Sequence, residues 1–139
     1  MGYAVYSLEK DAECSLKSED FSIEGNMMEN AKYRVTVDAS TGDIKSLYDK
    51  TLSRELLSAN LRLALLSCKS TDWPAWEIPY SSTTGNSTYV NNSDGNLSIS
   101  IAEDGPLRKS FRVERTRLGS TFVQYIRLTS CGPSERVDV

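Results

Sequence analysis

The stretch ENAKYRVTVDASTGDIKSLYDKTLSRELL, residues 29–57, decides the fold class of this chain. Apolar and polar side chains alternate from Tyr33 to Asp38, which is the period of a strand with one buried face. Residues 38–43, DASTGD, predict a turn, because Asp and Ser side chains bond nearby backbone groups and Gly42 can adopt a positive φ. Ile44 to Tyr48 then returns as a second strand. The stretch therefore predicts an antiparallel hairpin.

The same pattern of short strands and turns continues on both sides of this hairpin. Further strands are predicted at residues 2–8, 21–23, 54–57, 61–66, 97–101, 109–117, 121–129 and 135–139. We count roughly nine or ten strands and no long helix, which is typical of an all-β fold, an antiparallel β-sandwich.

Two parts of the chain are less regular. Residues 61–66, LRLALL, are apolar enough for a strand buried on both faces, although leucine spacing over residues 53–66 also fits a helix. Residues 67–96 read mostly as loop and end in a tract rich in Ser, Thr, Asn and Gly.

The predicted domain organisation is simple. Residues 1–24 are an entry strand and linker, and residues 25–139 are the β-sandwich domain. Because residues 137–139 fall inside a predicted strand, we expect the domain to be truncated at its C-terminal end. No apolar run approaches the roughly 20 residues of a membrane helix, and residues 1–25 lack the pattern of a signal peptide. We expect no membrane association and a cytoplasmic location.

Composition narrows the possible chemistry. The chain has 16 basic and 19 acidic residues, a net charge of -3, which argues against a nucleic-acid surface. It has no histidine, so a Ser-His-Asp or Cys-His nucleophile cannot be built within it, and a zinc site would be unusual. The three widely spaced cysteines fit reduced thiols better than a disulfide framework. We therefore expect no catalytic residue, metal site or cofactor in this chain.

The candidate site lies in the loop that contains both tryptophans. Trp73 and Trp76 are three residues apart, with Asp72 and Glu77 beside them. Aromatic faces and carboxylates are what carbohydrate sites use, because rings stack on sugar C–H faces and acids accept hydroxyl hydrogen bonds. Tryptophans equally serve to pack on another domain. The four residues are thus candidates for either sugar contact or a domain interface.

Two groups of charged residues are predicted to lie in solvent. The acids of the hairpin region alternate with Lys and Arg, which favours a solvated surface over a pair of catalytic carboxylates; they are Asp38, Asp43, Asp49 and Glu55. The basic residues near residue 112 predict a solvated strand face or an interface with an acidic partner domain; they are Arg108, Lys109, Arg112, Arg115 and Arg117.

Taken together, four ordered segments resemble the C-terminal β-sandwich region of glycoside hydrolase family 38, the α-mannosidases. They are Gly2–Tyr6, the run from Glu29 to Leu56, Trp73–Ile78, and Gly105–Arg108 with Phe111–Glu114 and Gln124–Leu128. The second segment is the most specific, and order and spacing agree over nearly the whole chain. Pro74 departs from the family pattern, in which an Asp is expected.

The resemblance implies a part of an enzyme. In that family a zinc ion and an aspartate nucleophile sit in an N-terminal α/β domain, a helical bundle follows, and the β-sandwich packs against both. The parent protein would hydrolyse α-mannosides with retention of configuration. The partners of this chain would be the catalytic and helical domains of the parent protein, and an α-mannoside would be a further ligand. The sandwich would be the first part of a fold like the galactose-mutarotase supersandwich.

The sequence therefore supports two functions. In the first, the chain is a non-catalytic β-sandwich fragment that supports the catalytic domain and contributes to the wall of the sugar site. In the second, it is a stand-alone carbohydrate-binding module that uses Trp73 and Trp76. A purely structural domain without sugar contact is a third interpretation.

Overall fold

The structure is a computed structural model that describes residues 3–5, 7, 21–73, 75–130 and 136–139. The described residues form eleven strands and two short helical segments. The strands are β1 (Ser22–Glu24), β2 (Met27–Glu29), β3 (Tyr33–Val37), β4 (Ile44–Asp49), β5 (Arg54–Glu55), β6 (Ala64–Leu66), β7 (Ser87–Tyr89), β8 (Leu97–Asp104), β9 (Arg108–Arg117), β10 (Ser120–Thr129) and β11 (Val137–Asp138). The helical segments are α1 (Tyr80–Thr83) and a 3₁₀ turn (Asn92–Asp94).

The strands form three antiparallel sheets. The first has five strands in the order β1-β2-β3-β4-β5, the second has four in the order β11-β10-β9-β8, and the third pairs β6 with β7. The two larger sheets share one hydrophobic core, so the predicted all-β antiparallel sandwich is confirmed.

The opening hairpin forms as predicted. In its register Val35 lies opposite Leu47, and a bulge follows between Thr36 and Val37. Two backbone hydrogen bonds close the turn: the N–H of Asp38 donates to the carbonyl of Asp43, and the N–H of Gly42 donates to the carbonyl of Asp38, both at 2.8 Å. Gly42 has φ +76°, a conformation that glycine adopts without a steric penalty.

The core lies between the inner faces of the two larger sheets. One sheet contributes apolar side chains from β2, β3 and β4, and the other contributes them from β9 and β10. The fully or nearly fully buried members are Met28, Val35, Val37, Ile44, Phe111, Val113, Ile126 and Leu128. Burying such a side chain is worth about 1.5–3 kcal/mol, so this layer is the main source of the sandwich's stability.

A buried asparagine ties the two sheets together at one end. Asn30 donates through Nδ2 to the carbonyl of Thr129 at 2.7 Å. Its Oδ1 accepts from the backbone N–H groups of Lys32, at 2.9 Å, and Tyr33, at 2.6 Å. Because a buried amide is costly unless it is hydrogen-bonded, these contacts hold the β2–β3 turn against β10.

Several predicted elements differ from the observed ones. β2 and β7 were not predicted as strands, and α1 lies in a segment predicted as loop. Residues 61–66 are not buried on both faces: Leu61 is 49% exposed and Leu66 is 43% exposed. That prediction is wrong because β6 belongs to a separate two-stranded sheet with β7, and none of residues 61–66 packs into the core between the two larger sheets. The competing helix over residues 53–66 does not form either.

The N-terminal part bears on the predicted domain organisation. The described residues 3–5 and 7 are not in a strand, and the rest of the predicted strand at 2–8 lies outside the described residues. β1 begins at Ser22 and pairs with β2, while the boundary at residue 25 stays a prediction.

Cys14, Pro74 and Cys131 also lie outside the described residues, whereas Cys68 is a free, exposed thiol. No helix in the described ranges is long and apolar enough to cross a membrane.

Candidate functional site

The two tryptophans of the predicted site stack on each other. Their ring centroids are 5.7 Å apart and the ring planes differ by 18°. A local turn brings them together, since the N–H groups of Trp76 and Glu77 both donate to the carbonyl of Trp73, at 3.2 and 2.8 Å. Trp73 is 57% exposed and Trp76 is 76% exposed. Each ring therefore uses one face in the stack and leaves its other surfaces open to a ligand or a partner.

The two predicted acids of this loop differ in their surroundings. Glu77 Oε2 accepts a hydrogen bond from Ser70 Oγ at 2.6 Å, and Ser70 Oγ in turn accepts from the N–H of Trp73 at 3.3 Å. Asp72 is exposed and makes no hydrogen bond or ion pair with a described residue. The structure thus places all four predicted residues in one loop, with Glu77 engaged in shaping that loop and Asp72 open to solvent.

The apolar surface of this loop extends beyond the tryptophans. Within eight residues the chain exposes four large apolar side chains, which we call the apolar loop: Trp73, Trp76, Ile78 and Tyr80. Trp73 and Trp76 are in ring contact within this set, whereas scattered single apolar residues are normal on a protein surface.

A buried ion pair joins the turn of the opening hairpin to the second sheet. Arg115 Nη1 on β9 lies 3.0 Å from Asp43 Oδ1 and also donates to the carbonyl of Thr41 at 3.3 Å. Burial lowers the pKa of the Arg115 guanidinium, and the neighbouring Asp43 carboxylate opposes that shift. The solvated surface predicted for Asp43 is wrong, and so is the solvated strand face that was one of the two interpretations of Arg115, because both side chains are buried.

Strand parity explains the position of Arg115. Phe111, Val113 and Arg115 are two residues apart on β9, so all three point to the same face of the sheet. The sequence therefore contained a signal for a buried arginine, although only a buried acid beside it makes that position tolerable. Asp49 is buried as well, so the solvated surface predicted for it is also wrong; its Oδ1 accepts from the N–H of Leu52 at 2.8 Å and caps the following turn.

The other basic residues of β9 also have acidic partners within the chain. Each pairs with a carboxylate close to it: Arg108 with Glu103, Lys109 with Asp104, Arg112 with Glu114, and Arg117 with Asp94. Lys109 is buried as well, so the solvated strand face predicted for these residues is wrong for Lys109 and Arg115. These carboxylates neutralise most of the positive charge that the basic residues of β9 carry.

Two cavities lie beside the buried ion pair. The smaller, of about 200 Å³, is bordered by Arg62, Arg115 and Gln124 together with apolar side chains. The larger, of about 370 Å³, is bordered by Asp43, Arg62 and Tyr89 among others. Sequence reasoning missed both, because their walls come from segments far apart in the chain.

Among the described residues, no group of three or more His, Cys, Asp and Glu side chains is arranged to hold a metal ion.

A family model described as "Glycosyl hydrolases family 38 C-terminal domain" matches residues 28–139. A search of curated proteins finds no match. The matched range contains β3 to β11, the apolar loop and the buried ion pair.

Proposed function

The chain belongs to the family of glycosyl hydrolase family 38 C-terminal domains, and from this membership we propose that it is a non-catalytic β-sandwich region of an α-mannosidase-like enzyme. It would support the catalytic and helical domains of the parent protein and contribute to one wall of the sugar site. The zinc ion and the aspartate nucleophile would belong to the catalytic domain, and the sandwich would form the first part of a galactose-mutarotase-like supersandwich.

The structural observation that supports this proposal most directly is the apolar loop. Its four large side chains are exposed on a chain that has a well-packed core elsewhere. Exposing them to water is unfavourable, and covering a surface of this kind is worth about 25 cal/mol per Å² of apolar area. A partner domain of the same protein would provide that cover.

Two further features support a structural role. The chain has no histidine, so it cannot supply the most common general base or metal ligand. The buried Arg115 and Asp43 join the β3–β4 turn to β9. A sandwich fixed in this way holds its loops in place for a neighbouring domain.

An association experiment tests the proposal. The chain is mixed with the separately produced catalytic and helical domains of a family 38 α-mannosidase, and complex formation is followed by sedimentation velocity. We expect a complex that the double substitution Trp73→Ser and Trp76→Ser weakens at least tenfold. Leu107→Ser, which removes an exposed leucine on a different turn, is the matched control and should leave binding unchanged. An equal loss of binding affinity in the double variant and in Leu107→Ser, or the absence of any complex, would contradict the proposal.

The stacked tryptophans favour one alternative, a carbohydrate-binding module. Open indole faces can stack on sugar rings, and the unpaired Asp72 carboxylate can accept hydroxyl hydrogen bonds. A titration of tryptophan fluorescence with mannose and mannobiose separates the two functions.

A further inference from the structure

The second sheet ends in a long strand with a free edge. In the order β11-β10-β9-β8, β8 pairs with β9 on one side, and no described strand pairs with its other side. β8 has eight residues, whereas the other edge strands of the two larger sheets, β1, β5 and β11, have three, two and two. A free edge presents a row of backbone N–H and C=O groups with which another strand can pair.

Residues 97–101, LSISI, which we call the open edge, lack the features that commonly prevent such pairing. Proteins blunt a free edge with charged side chains, a proline or a bulge. The open edge contains no charged residue and no proline, and the bulge of β8 comes after it, between Ile101 and Glu103. Its backbone is therefore free to accept a further strand.

The two faces of the open edge differ in chemistry. Leu97 and Ile99 pack against the core of the sandwich. Ile101 has the same parity and points to the same face, but it is 52% exposed. Ser98 and Ser100 lie on the opposite face and are exposed. A strand added beside β8 would cover Ile101 if it carried apolar side chains on the inward face.

The open edge is complementary to itself. Its order, apolar-Ser-apolar-Ser-apolar, reads the same in both directions about Ile99. When two copies pair antiparallel about this centre, Ile99 lies opposite Ile99 of the second copy and Leu97 lies opposite Ile101. Ser98 then lies opposite Ser100. Because opposed residues of an antiparallel pair point to the same face, apolar side chains meet apolar ones and serines meet serines.

The charges beyond the two ends of the open edge do not prevent this pairing. In the same register Asp94 of one copy comes close to Asp104 of the other. Each of these acids already has a cation in its own chain, since Asp94 pairs with Arg117 and Asp104 pairs with Lys109. A twofold dimer joins the same surface of both copies, so a self-complementary strand fits it. We propose that β8 is a dimer interface at which the open edges of two copies pair antiparallel about Ile99.

Sedimentation velocity of the full chain over a series of concentrations tests the dimer. Five residue pairs make a small interface, so we expect a reversible monomer–dimer equilibrium that is half associated at or below about 1 mM. A chain that stays monomeric up to that concentration would contradict the proposal.

Substitutions at Ser98 and Ser100 test the register. Ser98→Lys combined with Ser100→Glu places opposite charges across the interface twice and should tighten association about three- to tenfold. Within the chain Ser98 lies opposite Glu114 and Ser100 opposite Arg112, so these new charges also suit the folded strand.

Ser98→Lys combined with Ser100→Lys places like charges across the interface and should weaken association by a similar factor, about three- to tenfold. This variant changes the net charge of each copy from -3 to -1 and so reduces the general repulsion between copies. Weaker association would therefore come from the local contact.

Thr121→Lys combined with Val123→Lys is the matched control. Both side chains are exposed on β10, which β9 separates from β8, so association should not change. An equal weakening in this control, or a dimer that responds to neither double variant of β8, would overturn the proposal. A dimer that is lost only on Trp73→Ser and Trp76→Ser would lie on the apolar loop and would overturn it as well.

Discussion

Arg115 and Asp43 form an ion pair across 3.0 Å in which only 1% and 4% of the two side chains are exposed. The two residues are 72 positions apart in the chain, so the pair fixes the β3–β4 turn to β9 over a long sequence separation. Removing two charges from water is expensive, and their attraction offsets this cost only while both are present.

Breaking this pair from one side should destabilise the fold strongly. We expect Asp43→Ala to lower the free energy of unfolding by about 3–5 kcal/mol, because it leaves the Arg115 charge buried without a partner. The double substitution Asp43→Leu and Arg115→Met should lower the free energy of unfolding much less than the sum of the losses from Asp43→Leu and Arg115→Met made separately. Urea unfolding followed by circular dichroism measures all of them.

The exposed pair between Arg108 and Glu103 is the control for that experiment. Glu103→Gln should leave the urea midpoint nearly unchanged, since surface ion pairs contribute little. If Asp43→Ala were no more damaging than Glu103→Gln, the buried pair would not hold the sandwich together.

Gly42 should tolerate no side chain. An added Cβ would lie 2.6 Å from Val113 Cγ1 and 2.9 Å from Leu97 Cδ1, and the residue has φ +76°. Gly42→Ala should therefore cost about 1–2 kcal/mol for the backbone conformation and about 1–3 kcal/mol more for the overlap with β9.

Gly119 separates these two effects. It has φ +75°, nearly the same conformation, but nothing lies within 4 Å of an added Cβ. Gly119→Ala should show the backbone cost alone in a thermal or urea unfolding series. Equal losses of stability for Gly42→Ala and Gly119→Ala would show that the β3–β4 turn is not packed against β9.

The carboxylate of Glu55 should make stability depend on pH. Its Oε2 accepts from Ser46 Oγ at 2.5 Å, and its Oε1 accepts from the N–H groups of Leu47, Leu56 and Leu57 at 2.8–3.0 Å. These bonds, led by that from Ser46, lower the pKa of Glu55 below its ordinary value of 4.5. A lowered pKa in the folded state adds stability above the unfolded value, and that stability is lost as the pH falls through the folded value.

We therefore expect Glu55→Gln to lower the melting temperature at pH 7, with a difference from the unsubstituted chain that shrinks below pH 4.5. Melting curves between pH 7 and about pH 3 measure it. Glu24→Gln is the control, because Glu24 is exposed and its carboxylate has no hydrogen bond or ion pair with a described residue. A difference for Glu55→Gln that stays constant over the whole range would contradict this role.

The stacked tryptophans should not respond to sugar if the apolar loop packs on a partner domain. Titration with mannose or mannobiose should then give no saturable change in tryptophan fluorescence. A saturable change that Trp76→Ala abolishes would instead favour the carbohydrate-binding module. Trp76 is the more exposed member of the pair, which makes it the better residue to replace.

Local patterns predicted the fold correctly where the elements were long. The alternation in β3 and β4 and the DASTGD turn define the hairpin, and the long alternating runs define β9 and β10. β2 and β7 escaped notice because Met27–Glu29 shows no apolar–polar alternation and β7 lies in a polar tract. Their pairing depends on neighbouring strands that local sequence does not reveal.

Local sequence patterns could not predict which charged residues are buried or which of them pair with each other. Arg115 has the parity of a core residue, but its sequence neighbours are charged, and its partner Asp43 lies in a typical turn. Whether such residues are solvated depends on which turn meets which strand, and that follows only from the assembled sandwich. The tryptophan loop was located from composition, whereas the cavities around Arg62 required the three-dimensional arrangement.

The measurement that tests the central claim most directly is a hydrolysis assay of the purified chain with an aryl α-mannoside in the presence of zinc. A non-catalytic region of a family 38 enzyme should show no turnover above the rate in buffer. Turnover that persists through purification, and that a single substitution such as Asp72→Asn or Glu77→Gln removes, would contradict the account.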